Sequence, residues 1–365
     1  MNNHDKHDRH DKHDRHDKQG AVGDRVAVIA NDDKLDPVLA GTLRAALHDH
    51  GFEVSWIVIQ KGSAATKATT KAIAAGAHRI VVCGGDGTVR AAIQALVGSE
   101  VPLAVLPSGT ANLFASALHL PTDPEAVVVA MRGGRTRRLD TARCNDMVFA
   151  IMAGTGLDAA MIDAADDTSE RVNKERFGTV AYVRAGVREA RQREPFEAKV
   201  SVDGQVLFDG MATCVLTANI GSLKGGLDAF PAARPDDGLL DVAVVTATGL
   251  REWGALMLSA VRRKQAASRH VHMARGGKIK IRLAERHRYE LDGGTKGTTR
   301  KLDIRVLPSS LSVVIPADAD EDHSSDVDRS ADPATGRVGE PPAPDAEVAW
   351  SAQQVQSAQA VPGSI

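Results

Sequence analysis

Short apolar runs rich in β-branched residues alternate with stretches of helical spacing from Arg25 to Leu120. That alternation predicts a parallel sheet covered by helices. "RVAVIAN" (25–31), "FEVSWIVI" (52–59), "RIVVC" (79–83) and "PLAVL" (102–106) read as strands. "PVLAGTLRAALHDHG", "AATKATTKAIAAGA", "VRAAIQAL" and "LFASALHL" place apolar residues three and four apart and read as helices. In such a sheet, ligands bind beyond the carboxyl ends of the strands, where the strand-to-helix turns gather.

From about Thr136 the pattern changes. "RTRRLDTARC", "MVFAIMAG", "FEAKVSVDG", "ATCVLTANI", "LLDVAVVTA", "RHVHMARG", "KIKIRLA" and "RYELDGG" are strand-length segments punctuated by turn residues, as in an antiparallel β-sandwich or barrel. Two helices, "GTVAYVRAGVREARQRE" and "LREWGALMLSAVRRK", are expected among them. The last segments, "KLDIRVL" and "LSVVIP", suit either half. The expected organisation is a charged tail over 1–20, an α/β domain over 21–136, a β-rich domain over 137–316 and an acidic tail over 317–365.

Both tails are low in apolar residues and are expected to be disordered. The opening "HDKHDRHDKHDRHDK" offers His4, His7, His10, His13 and His16 to a divalent metal, but a solvated tail is the simpler expectation. Setting the tails aside turns the net charge of −2 into +6 for the body. That balance suits phosphate ligands or anionic lipid surfaces and is too weak for a nucleic-acid binder, as is the 3% aromatic content. No apolar run has membrane-spanning length, and the N-terminus is charged rather than signal-like, so a cytoplasmic location is expected. Cys83, Cys144 and Cys214 form no CxxC pair and read as small buried residues without disulfides.

The chemistry concentrates in two turns. In "GGDGT", Gly84, Gly85 and Gly87 are expected to let the backbone approach a ligand and adopt positive φ. Thr88 offers a hydroxyl, and Val89 is expected to begin a helix whose N-terminus favours anions. Asp86 would repel a phosphate unless a cation sits between them, which points to Mg²⁺ with a nucleotide phosphate. "LPSGTANLFA" repeats the logic with Pro107, Ser108, Gly109 and Thr110, and with Asn112 near a helix start. Turns at the ends of successive strands face one crevice. "GTGLDA" (154–159) matches a dinucleotide pattern but lies in the β-rich half and reads as a tight turn. Neither a P-loop nor a GxSxG elbow occurs.

Five motifs in order, "GGDGT", "PSGTANLFA", "GTGLDA", "ANIGSLKGGLDAFPAARPDDGLLDV" and "YELDGG", resemble the diacylglycerol kinase catalytic-domain family. Its relatives include bacterial lipid kinases, sphingosine kinases and ceramide kinases. The resemblance covers Arg25 to Pro316 and implies an α/β nucleotide domain, a β-sandwich-like domain, and ATP in the cleft between them. It implies that Gly85, Asp86, Gly87 and Thr88 hold ATP and its Mg²⁺, and that Thr110 touches the nucleotide from the second turn. Asn31, Gly84, Gly109 and Asn112 complete the candidate nucleotide site. The resemblance also implies a structural Mg²⁺ on Asp237 and the Leu239 carbonyl; from the residues alone, Asp237 is a routine turn aspartate.

Three positions depart from the family. Asn31 is followed by Asp32 and Asp33 instead of a proline, and Arg90 and Ala91 stand where the family has Asn-Glu. Gly294 replaces the glutamate of the family's late "DGE", thought to be the general base. Asp292 and Asp86 are the candidate catalytic residues, with Glu290 on the same strand face as Asp292. Losing a general base costs typically about 10²–10⁴-fold, not all activity. The expected function is an ATP- and Mg²⁺-dependent lipid kinase acting on a diacylglycerol-like or sphingoid hydroxyl, peripherally bound to a membrane. A homodimer is left open. The alternatives are an impaired nucleotide- or lipid-binding homologue and a small-molecule kinase similar to NAD kinases. "LREWGALMLSAVRRK" (250–264) suits an anionic interface, although packing on the β-rich domain explains the same residues and is the favoured expectation.

Overall fold

The first four strands are β1 (Arg25–Asn31), β2 (Glu53–Ile59), β3 (Arg79–Gly84) and β4 (Leu103–Pro107). They lie parallel in the order β4-β3-β1-β2, and β1, β3 and β4 are almost wholly buried, which explains their unbroken apolar runs. The computed structural model describes residues 24–156, 194–223, 227–228, 230–249, 252 and 269–317. All lie in one unit that extends to Asp320. Both tails, most of the two helices expected at 178–194 and 250–264, and Leu157 to Ala159 of "GTGLDA" lie outside the described residues.

The helices are α1 (Pro37–Asp49), α2 (Ala65–Ala74), α3 (Asp86–Leu96), the short α4 (Leu113–Ala117) and α5 (Pro124–Gly133). Asp36 caps α1 by accepting from the Val38 amide at 2.7 Å, and Pro37 pre-sets its first turn. Helix α5 was not expected, because its Val127–Val128–Val129 run looks strand-like. Its start signals are nevertheless complete: Asp123 accepts from the Ala126 amide at 3.0 Å and Pro124 follows. Helix α3 begins at Asp86, three residues before the expected Val89. Gly85 is its extended N-cap, and the Gly85 carbonyl accepts from the Thr88 and Val89 amides.

The second half comprises β5 (Arg135–Cys144), β6 (Met147–Phe149), β7 (Met152–Thr155), β8 (Phe196–Val202), β9 (Gln205–Ala212) and β10 (Cys214–Ala218). The two-residue β11 (Ser222–Leu223) and β12 (Leu227–Asp228) pair apart from the main sheet. They are followed by β13 (Leu240–Val245), β14 (Val271–Gly276), β15 (Lys278–Leu291) and β16 (Gly294–Ile315). "KIKIRLA" and "RYELDGG" are therefore one strand, bulged between Arg282 and His287, and "KLDIRVL" and "LSVVIP" lie together in β16. The exposed polar residues at the bulge imitate a turn in the sequence.

One sheet of 14 strands runs through both halves, with the path β14-β13-β10-β7-β15-β16-β4-β3-β1-β2. Strand β16 pairs antiparallel with β15 and β5, and meets β4 in parallel at Val313 opposite Leu103. One apolar core lies under α2 and α3, a second under α1 and α5, and a third fills the β-rich half around Phe149, Val200, Val242 and Ile281. The fold is thus the expected α/β half followed by a β-sandwich-like half.

Candidate functional site

The carboxyl ends of β1, β3 and β4 and the β15–β16 hairpin enclose a cleft of about 480 Å³. Of the predicted residues, Asn31, Gly85, Asp86, Gly87, Thr88, Gly109, Thr110 and Asp292 line it, and Gly84 and Asn112 do not. Asp237 and Leu239 also lie elsewhere.

The glycines answer to packing more than to backbone strain, since neither Gly84, Gly85 nor Gly87 has positive φ. A Cβ at Gly84 would stand 2.7 Å from Thr88 Cβ, and one at Gly85 would stand 3.1 Å from Gly109 Cα. The two turns therefore touch, and only glycine permits the contact. Gly87 differs: a Cβ there would meet no protein atom within 4 Å. Asn112 holds the second turn from inside. It adopts φ 47°, its Oδ1 accepts from the Gly109 amide at 2.9 Å, and its Nδ2 donates to the Gly109 carbonyl at 2.8 Å. That pair of hydrogen bonds to one residue makes Asn112 a shaper of the turn.

Thr88 is buried, and its Oγ1 accepts from Asn31 Nδ2 at 3.0 Å, which ties the end of β1 to α3. Among the described residues Asn31 Oδ1 is buried without a partner, and it belongs to a cleft-lining side chain, as expected of a group awaiting a ligand. Asp86 opens α3, and its Oδ1 accepts from the Phe114 amide at 3.3 Å. An acid in a first helical turn is favoured by the helix dipole. This glycine cradle, helix N-terminus and carboxylate fit a nucleotide phosphate with its divalent cation.

Asp292 and Gly293 form the two-residue turn between β15 and β16, both with positive φ, as an Asp-Gly hairpin requires. Asp292 is also anchored. Its Oδ1 accepts from the Ile151 amide at 2.8 Å and the Met152 amide at 3.1 Å, and its Oδ2 accepts from the Ala150 amide at 3.0 Å. These bonds break the expected "MVFAIMAG" strand into β6 and β7. Burial pushes the Asp292 carboxyl up to about 6, against the lowering effect of the three amides and of the Arg90 charge.

Sequence reasoning did not single out Lys34, Gly62, Ser63 and Lys296, all of which line the cleft. Gly62 and Ser63 follow the carboxyl end of β2, so the rule that turns after parallel strands face the ligand could have found them. Lys296 follows the missing glutamate position by two residues and so shares its strand face. Burial, and then the Arg90 charge, lower the Lys296 pKa, while Asp292 and Glu290 oppose them.

The implied metal site at Asp237 does not fit a cation. Asp237 Oδ1 accepts from the Leu239 amide at 3.0 Å, and its Oδ2 pairs with Arg275 Nη2. Arg275 Nε also donates to Asp241 Oδ2 at 3.1 Å, so a guanidinium already supplies the positive charge. The described residues hold no cluster of three or more metal-ligating side chains. The loop is fixed instead by buried Asp140, whose Oδ2 accepts from the Gly238 amide and whose Oδ1 accepts from the Ser309 amide, both at 2.7 Å.

The diacylglycerol kinase catalytic domain family matches residues 25–144, and the YegS C-terminal NAD kinase beta sandwich-like domain matches residues 152–315. An uncharacterized protein of Synechocystis sp. is 32% identical over 248 residues, which is 66% of this chain and 55% of that protein. A diacylglycerol kinase of Staphylococcus carnosus is 29% identical over 247 residues, covering 67% of this chain and 78% of its own. One of Mycobacterium tuberculosis is 32% identical over 208 residues, covering 55% and 65%. The match thus spans little more than half of the Synechocystis protein and just under two thirds of the mycobacterial one. The crystal structure of a diacylglycerol kinase from Bacillus anthracis str. Sterne superimposes with a TM-score of 0.63 at 23% identity, covering 80% of this chain and 97% of that one, and so shares the fold. With both domains matched in succession along the same sheet, the chain belongs to the diacylglycerol kinase catalytic-domain family.

Proposed function

We propose that the protein transfers a phosphoryl group from ATP to the hydroxyl of a lipid, diacylglycerol-like or sphingoid, at a membrane surface. One observation carries this reading. Gly87 lies in the first turn of α3, with open space around it and ordinary helical φ, where nearly any other residue would stabilise the helix better. Glycine there keeps space free over the α3 amides for a phosphate, as at other anion-binding helix starts. The names of the Staphylococcus carnosus and Mycobacterium tuberculosis relatives support a lipid acceptor.

On this reading Asp86 would hold Mg²⁺, which supplies neutralisation of the phosphate charge. Lys34, on the same cleft wall as Asn31, adds a further cation. The acceptor oxygen forms a bond to the γ-phosphorus while the bond from that phosphorus to the leaving ADP oxygen breaks. The hydroxyl proton passes to Asp292, whose Oδ2 accepts a single amide bond and keeps a lone pair. Gly294 favours a second reading, a binding homologue without catalysis.

Incubation with Mg²⁺, radiolabelled ATP and a mixed lipid extract separates the two, with Asp86→Ala as the control. A labelled lipid formed by the unmodified protein alone supports the kinase. Bound ATP with no labelled lipid supports the binding homologue.

A further inference from the structure

Beyond its glycine turns, the cleft carries positive charge that those turns do not call for. Gly294 leaves a gap in the β15–β16 hairpin, and Lys296 fills it. Its Nζ lies 2.9 Å from the position that a Cβ at residue 294 would take. Arg90 stands on α3 one turn after Asp86, on the same helix face, and lines the same cleft. Arg90 is close enough for its charge to disfavour the Lys296 ammonium. Both side chains are half-buried, and among the described residues neither makes a hydrogen bond or an ion pair.

The nearby carboxylates Asp292 and Glu290 favour the Lys296 ammonium, but less than burial and the Arg90 charge disfavour it. Asp292 is committed to three backbone amides, and Glu290 is buried with a partner of its own. Two like charges sharing one partly desolvated cleft repel each other, and an anion between them removes that cost while gaining charge-assisted hydrogen bonds. On the kinase reading the donor phosphates already have the α3 amides at the helix start and Asp86 with its cation, so a further anion held between Arg90, one turn along, and Lys296 of the hairpin belongs to the other substrate.

We propose that Arg90 and Lys296 receive a phosphate group carried by the acceptor itself, so that the acceptor is an alcohol bearing a phosphate rather than a neutral alcohol. This rests on the kinase reading above and narrows its lipid acceptor to one that bears a phosphate.

The test compares two acceptors in neutral-detergent micelles. Both carry one oleoyl chain and a single free hydroxyl, at carbon 2: 1-oleoyl-3-O-methylglycerol, and 1-oleoylglycerol 3-phosphate. The full chain is expected to show a kcat/KM about tenfold or more higher for the phosphate-bearing acceptor, the scale of one charge-assisted hydrogen bond. Lys296→Met and Arg90→Met should each raise the KM for that acceptor about tenfold, with the KM for ATP within about twofold of the unmodified value. Both variants should melt within a few degrees of the unmodified protein, because neither side chain is in the core.

Equal kcat/KM on the two acceptors overturns the proposal and leaves the kinase reading standing. A raised KM for ATP in the variants, with the acceptor KM unmoved, also overturns it by placing the pair on the γ-phosphate. If ATP binds and neither acceptor is labelled, the kinase reading itself fails and this inference falls with it.

Discussion

A Cβ at Gly109 would stand 2.5 Å from the Cα of Gly85, so the two strand-to-helix turns are pressed backbone to backbone. The contact explains why each turn needs its glycine even without a ligand. Gly109→Ala is expected to destabilise the protein by about 1–3 kcal/mol, the usual cost of forcing extra atoms into a packed contact. Thermal melting without nucleotide measures this loss.

Gly87→Ala should behave in the opposite way. Its methyl meets no protein atom and alanine favours the helix, so the melting temperature should hold or rise slightly. ATP affinity should fall about tenfold or more if a phosphate sits on that backbone. Calorimetric titration with ATP and Mg²⁺ checks it, and unchanged affinity would move the nucleotide away from α3.

Asp292 makes a pH prediction of fixed sign. A base titrating at about 6 must lose its proton to act, so kcat/KM should climb as pH rises through about 6 and level off above it. Asp292→Asn should abolish that limb and lower the rate about 10²–10⁴-fold. Stability runs the other way. The folded value of about 6 exceeds the ordinary aspartate value, about 3.9. The folded chain therefore keeps its proton longer, and this contribution is full below about pH 4 and shrinks as pH rises towards 6. Denaturant titrations across that range read it directly.

Arg275 joins Asp237 and Asp241 where a structural cation was expected. Arg275→Met leaves Asp241, 3% exposed, with its burial cost uncompensated. A loss of about 1–3 kcal/mol is expected, below that of a fully buried pair because the Arg275 side chain is 36% exposed. The loss should shrink in acid, where Asp241 takes up a proton. Chelators should leave the melting temperature of the nucleotide-free protein unchanged.

Burial pushes the Cys83 and Cys144 thiols up to about 12, so both should resist alkylation at pH 8 until the chain unfolds. Mass spectrometry of iodoacetamide-treated native protein tests this. Modification of either residue at the rate of a free thiol would contradict their burial.

Strands β1, β3 and β4 were legible because strands buried on both faces write themselves as continuous apolar runs, and the edge strand β2 was legible from its β-branched residues. The glycine turns were legible as a ligand cradle, yet the reason for Gly84 and Gly85 was not. That reason is a contact between turns distant in sequence. The broken strand at Ala150 and Ile151 was equally hidden, because the carboxylate that draws off those amides belongs to Asp292. Lys296 escaped notice for a simpler cause. An exposed-looking lysine two residues after a glycine carries no signal until the hairpin brings its ammonium over the gap.

Strand β16 also bears on how the molecule comes into being. It lies between β15 and β4 in the finished sheet, but the ribosome makes it after every other strand among the described residues. Until Val313 arrives, the edge of β4 faces no partner on that side, however well β1 to β4 have paired. Such long-range closure slows folding and leaves an open strand edge on the nascent chain. The same late segment carries Gly294 and Lys296, so the cleft is completed only when this strand takes its place in the sheet.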